Sequence, residues 1–121
     1  MGRKHPSEYQ TMHPFETRQV ESAKIRAKFA DRVPVIVERT STCQSIALID
    51  KRKFIVPIDL TIAQFTHVIR KRLHMLSSTA IFIMCVDTLP PASSTIGELF
   101  ASHSDADGFL YVTYSGENAF G

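Results

Sequence analysis

The chain has 121 residues, 44% hydrophobic and 21% charged, with a formal net charge of +2. That is the length of one domain with enough apolar residues to bury a core. It excludes a bilayer-spanning helix, because no apolar run approaches the roughly 20 residues that such a helix needs. The polar stretch Met1 to Glu8 lacks the apolar region of a secretory signal. Cys43 and Cys85 are too few for a disulfide scaffold and are expected as free thiols in a reducing compartment. Charge is unevenly spread. Residues 1–72 hold all fourteen Lys and Arg against seven acids, while residues 73–121 hold five acids and no Lys or Arg. One end should attract anions and the other should not; two solvated faces of an ordinary domain is the competing reading.

In chain order, residues 1–8 read as a flexible leader, and Tyr9 to His13 as a short helical turn before Pro14. Phe15 to Phe29 has helical spacing, with Arg18, Ser22, Ile25 and Phe29 on the face of Phe15 and Lys24 and Lys28 opposite. Glu21 lies four residues before Ile25, so both can line one groove. Val33 to Thr40 is β-branched and reads as a strand, and Ser41 to Ala47 as a polar loop holding Cys43. Lys53 to Ile58 is a second strand, and its proline favours a sheet edge. Thr61 and Gln64 have capping-box spacing and open a helix to Leu73 with Arg70, Lys71 and Arg72 at its end. Ala80 to Val86 is short and continuously apolar, as in a strand covered on both faces. Asp87 to Ser94 is a loop, and Thr95 with Glu98 forms a second capping box before a short helix. Asp107-Gly108 marks a turn, Phe109 to Tyr114 the last strand, and Ser115 to Gly121 a polar tail.

Catalytic and metal chemistry is not indicated. The five glycines form no phosphate loop, the cysteines no C-x-x-C, and the five histidines no tight ligand spacing, although His67 and His74 are roughly one helical face apart. Asp105 and Asp107 before Gly108 read as a turn rather than a calcium loop. Cys85 reads as a core thiol. Phe15, Phe29 and Phe54 read as core or pocket residues rather than as a stacking platform for bases, so no nucleic acid is expected. A final glycine without a Cβ suits entry into a narrow enzymatic tunnel, and a frayed terminus is the plain alternative.

Several motifs together resemble one family. They are P-F-E-T-R at 14–18, R-V-P-V-I at 32–36, I-D-K-R-K-F at 49–54, V-P-I-D-L-T at 56–61, V-I-R-K-R-L at 68–73, D-T-L-P-P at 87–91 and D-G-F-L-Y-V-T-Y-S-G-E-N-A-F-G at 107–121. The chain resembles the autophagy ubiquitin-like modifiers, the autophagy-related protein eight family with its GABA-receptor-associated protein group. The resemblance implies an α+β fold: a ubiquitin-like β-grasp with a four-stranded mixed sheet and two additional N-terminal helices. It divides the chain into the leader 1–8, a helical subdomain 9–30, a β-grasp domain 31–115 and a flexible tail 116–121.

The resemblance further implies a non-enzymatic modifier without cofactor, joined through Gly121 to phosphatidylethanolamine on autophagic membranes. Implied partners are E1-like and E2-like enzymes, a processing and delipidating cysteine protease, and cargo receptors with W/F/Y-x-x-L/I/V motifs. Implied locations are the cytoplasm, phagophore and autophagosome membranes when lipidated, and the vacuole or lysosome. Carried over by position, the aromatic-anchor pocket falls on Glu21, Ile25, Pro34, Ile36, Lys53, Ile55 and Phe109. The aliphatic-anchor pocket falls on Phe54, Val56, Pro57, Leu60, Phe65, Val68, Ile69 and Arg72. Lys51, Lys53 and Arg70 to Arg72 are expected to attract acidic residues flanking the motif. Phe54 replaces a tyrosine common in the family, and Tyr9-Gln10-Thr11-Met12 stands where an F-K-x-E-like segment is usual. Tubulin contact or membrane tethering by that segment is therefore not carried over. The chain stops at the glycine, where many family members continue; a processed, a shortened and an unextended form all fit. An unconjugated peptide-binding adaptor is the alternative function.

Overall fold

A computed structural model describes residues 7–43, 45–76, 78–86 and 88–116. The elements in order are α1 (Glu8–Met12), α2 (Phe15–Lys28), β1 (Arg32–Arg39), β2 (Lys53–Pro57), α3 (Ile62–Arg72), β3 (Phe82–Met84), α4 (Ile96–His103) and β4 (Leu110–Ser115). Ser7 and Glu8 belong to α1 rather than to a leader, because the Ser7 side chain accepts from the Gln10 N–H and caps the helix. The four strands form one sheet in the order β2-β1-β4-β3. The first and last strands meet at its centre in parallel, Val35 opposite Leu110, while β2 and β3 pair antiparallel on either side. This is the mixed β-grasp sheet with the two N-terminal helices added.

The sheet lies between two helical layers, and strand alternation sorts its side chains between them. Val33, Val35 and Val37 of β1 and Phe54 and Val56 of β2 face α3 and α4, where Ile62, Phe65, Ile69, Ile96 and Leu99 complete the main core. Ile36, Phe109 and Tyr111 face the other way, against Tyr9 of α1 and Ile25 of α2. Residues 33–37 are consequently buried without interruption, as expected of a central strand covered on both faces. By contrast, the apolar run 80–86 supplies only three strand residues, at the second sheet edge.

Both capping boxes form as the spacing predicts. Their helix starts also cap each other. Ile62 and Ala63 donate their N–H groups to the carbonyls of Ser94 and Ala92, and Ile96 and Gly97 donate theirs to Leu60 and Ile58. Four helix-start donors are thereby satisfied by the loop leading into the opposite helix. A Cβ on Gly97 would lie 2.9 Å from the Ile58 oxygen, so the approach needs glycine. At its other end α3 stops in a Schellman motif, with His74 N–H on Lys71, Met75 N–H on Arg70 and His74 at φ 57°. His74 has therefore left the helix and does not share a face with His67.

Candidate functional site

Strand β2 is the organising element. Val37 N–H donates to Arg52 (2.7 Å) and Ile58 N–H to Asp31 (3.1 Å), which fixes the phase of the β1–β2 ladder. Residues 52, 54, 56 and 58 bond to β1, so the backbone groups of Lys53, Ile55 and Pro57 point away from the sheet. Pro57 has no N–H to offer, and its carbonyl accepts from Leu60 (3.2 Å). The open edge therefore consists of the N–H and C=O groups of Lys53 and Ile55, with the Arg32 guanidinium 3.4 Å from the Ile55 oxygen. Such an edge can add one short extended peptide.

One of the two anchor sets lies on each side of this edge. Toward α2, the register sets Pro34 opposite Ile55 and Ile36 opposite Lys53, and the residues of the aromatic-anchor set share this sheet face. Ile36, Phe109 and Pro34 are fully buried there, while Ile55 stays 37% exposed. Glu21 and Lys53 are paired across the rim, and burial holds the Lys53 ammonium below its ordinary value. Tyr9, absent from the sequence-derived set, packs beside them with its ring 5.5 Å from that of Phe109. Its signal was an aromatic residue in an otherwise polar segment.

Toward α3, the aliphatic-anchor set divides in two. Phe54, Val56, Phe65 and Ile69 are buried in the main core, with the Phe54 and Phe65 rings edge to face at 5.9 Å. Pro57 and Leu60 are half-buried. Val68, 39% exposed, and Arg72 line a shallow depression with Asp50, Lys71 and His74. Only these last four members of the set are available to a partner; the buried four form the support beneath.

The cations expected to be open are mostly engaged within the chain. Arg72 binds Asp50 (2.8 Å), and that hydrogen bond draws the Asp50 carboxyl below its ordinary value. Arg70 donates to the carbonyls of Leu76 and Thr79 and pins the loop after α3. Arg52 binds Glu8 (2.7 Å) and lies 3.6 Å from Glu38. Lys51 sits 5.0 Å from the centre of the Phe54 ring. The rim is a set of ion pairs rather than a bare cationic patch, because acids from α1, α2, β1 and the loop before β2 converge on it.

Among the described residues no three His, Cys, Asp or Glu side chains converge as a metal site. Cys85 lies in the core. Cys43, expected in a polar loop, is buried as well. Burial raises its thiol, but hydrogen bonds at Gly116, Ile46 and Ser45 outweigh that and lower it to about 7. Gly121, the expected conjugation site, lies outside the described residues.

Comparison with known proteins follows the same outline. A family model described as autophagy protein Atg8, ubiquitin-like, matches residues 17–121. The chain is 50% identical over 115 residues to Autophagy-related protein 8 of Emericella nidulans, covering 95% of this chain and 97% of that protein. It is 53% identical over 115 residues to Autophagy-related protein 8 of Candida albicans, covering 95% of this chain and 84% of that protein. The crystal structure of Trypanosoma brucei ATG8 superposes with a TM-score of 0.89 at 41% identity, covering 97% of this chain and all of that one.

Proposed function

The chain belongs to the Atg8 family of ubiquitin-like autophagy proteins, and from that membership we propose that it is a membrane-conjugated adaptor. Gly121 is joined to phosphatidylethanolamine by E1-like and E2-like enzymes, and a cysteine protease processes the chain and removes the lipid. The match of the family model through residue 121 supports this part of the reading. Two acyl chains are what stable anchoring requires, since a single chain holds a protein only marginally. The conjugated protein works at phagophore and autophagosome membranes, with the cytoplasm as its unconjugated location.

The observation that carries the recognition half is the open backbone of Lys53 and Ile55, with exposed Ile55 on one side and exposed Val68 on the other. A cargo receptor's W/F/Y-x-x-L/I/V segment adds there as a strand, its aromatic anchor toward α2 and its aliphatic anchor toward Val68. Alternate side chains of an extended peptide point to opposite sides, which matches one anchor set on each side of one strand. Each such contact is modest, and many copies on one membrane raise the avidity.

Incubation with the two enzymes, ATP and phosphatidylethanolamine liposomes is expected to give a membrane-bound adduct, and Gly121→Ala to give none. Absence of an adduct from the unaltered chain would select the unconjugated adaptor instead. For recognition, Phe54 and Val56 are poor probes because removing core side chains disturbs the fold. Ile55→Asp combined with Val68→Asp leaves the core intact. It is expected to weaken a W-x-x-L peptide at least about tenfold by calorimetry; unchanged affinity would remove both anchor sets from the site.

A further inference from the structure

Helix α1 reaches the candidate site through one residue. Tyr9 is buried in the cluster of Ile36 and Phe109, and its two polar ends hold two different carboxylates. Its amide N–H donates to Glu38 Oε2 (2.8 Å), and its hydroxyl donates to Glu21 Oε1 (3.0 Å). Those carboxylates are the partners of consecutive cations on the β2 side: Glu38 faces Arg52, and the second oxygen of Glu21 binds Lys53. Burial, together with the Asp107 charge, raises the Tyr9 phenol above its ordinary value. The hydroxyl therefore stays protonated and remains a donor throughout the neutral range.

We propose that Tyr9 is a positioning residue that sets preference for acidic partners, its hydroxyl holding Glu21 in place when a partner's carboxylate takes Lys53. This role rests on the peptide-docking reading given above. An incoming carboxylate competes with Glu21 for the Lys53 ammonium and weakens that pair. Glu21 is half-buried, and a carboxylate that loses its cation there is costly unless another donor remains. Among the described residues its carboxylate has two partners, Lys53 and the Tyr9 hydroxyl. The hydroxyl binds the oxygen that Lys53 does not use, so the exchange needs no movement of α1. A phenylalanine at position 9 would keep the ring contacts on Phe109 and Ile36 and lose only this donor.

Calorimetry on the full chain with two synthetic peptides tests this. Both carry an aromatic-x-x-aliphatic core; one is flanked by acidic residues and the other by glutamines. Tyr9→Phe is expected to lower the acidic-over-neutral affinity ratio by about three- to tenfold, the range of one hydrogen bond to a partly exposed charge. In a Glu21→Gln background, where no charge is stranded, adding Tyr9→Phe is expected to leave the ratio where it was. An unchanged ratio in the single variant overturns the proposal, and so does an equal fall in the Glu21→Gln background. Failure of the unaltered chain to bind either peptide would instead remove the docking reading itself, and this role with it.

Discussion

Asp107 is fully buried, and three donors meet it: Arg18 Nη1 and the Tyr111 hydroxyl at 2.5 Å each, and the Phe109 N–H at 2.9 Å. Its own carbonyl accepts from Ser22, and Gly108 beside it, at φ 92°, has no room for a Cβ against that serine. The cluster joins α2 to the start of β4 and so holds the buried residues of the aromatic-anchor set in place. Arg18→Met would leave a buried carboxylate without its cation and is expected to cost about 3 kcal/mol in urea unfolding. Half of this cluster was visible in the chain. Arg18 stands on the apolar face of its helix, and a charge there needs a buried partner. The partner itself was not legible, because it lies 89 positions away in what reads as an ordinary turn. Phe15 teaches the reverse: it has the right spacing for the core yet stays 43% exposed, with the Arg18 guanidinium over its ring.

Among the elements, those governed by local rules were legible and those governed by distant contacts were not. Both capping boxes involve groups three residues apart, and both helices begin where the spacing says. That the two helix starts satisfy each other is a tertiary fact, and no periodicity encodes it. The apolar run 80–86 was read too long for the same reason: β3 pairs with β4 only from residue 82 to residue 84, and the chain then turns back. In that turn Cys85 and Thr88 exchange backbone hydrogen bonds of 2.8 and 3.0 Å, and Val86 is held at φ 48°. A β-branched residue is strained in the left-handed region, where asparagine is tolerated. Val86→Asn is expected to stabilise the fold by about 1 kcal/mol in denaturant titration, without changing the secondary structure seen by circular dichroism.

At the scale of the whole molecule, the first 72 residues carry fourteen Lys and Arg against seven acids, and the fold gathers four of those acids at one place while the net excess of seven stays unchanged. Around the β2 edge, Glu8, Glu21, Glu38 and Asp50 converge on the cations that surround it. Long-range attraction of an acidic peptide is therefore weaker than the bare run of cations suggests. Stopped-flow association with such a peptide is expected to slow by no more than about threefold between low and half-molar salt. A much steeper fall would mean that the internal pairs open in solution. The mixed four-stranded sheet followed from resemblance to a family, since pattern alone does not order strands in a sheet, whereas Pro57 itself pointed to a strand at the edge. The pairing of charges followed from neither, because it depends on which surfaces the sheet brings within a few ångströms.

The proline at the end of β2 also governs what the protein does in company. Pro57 closes the outer edge of β2 after two open residues, and a lysine sits at its head. An edge that short cannot template a growing ribbon of identical strands. Molecules concentrated on a small patch of membrane would meet edge to edge at high local density, the condition under which exposed strands polymerise. Here such an encounter would give at most a brief, poorly bonded pair, and the edge would stay open to the proposed peptide partners.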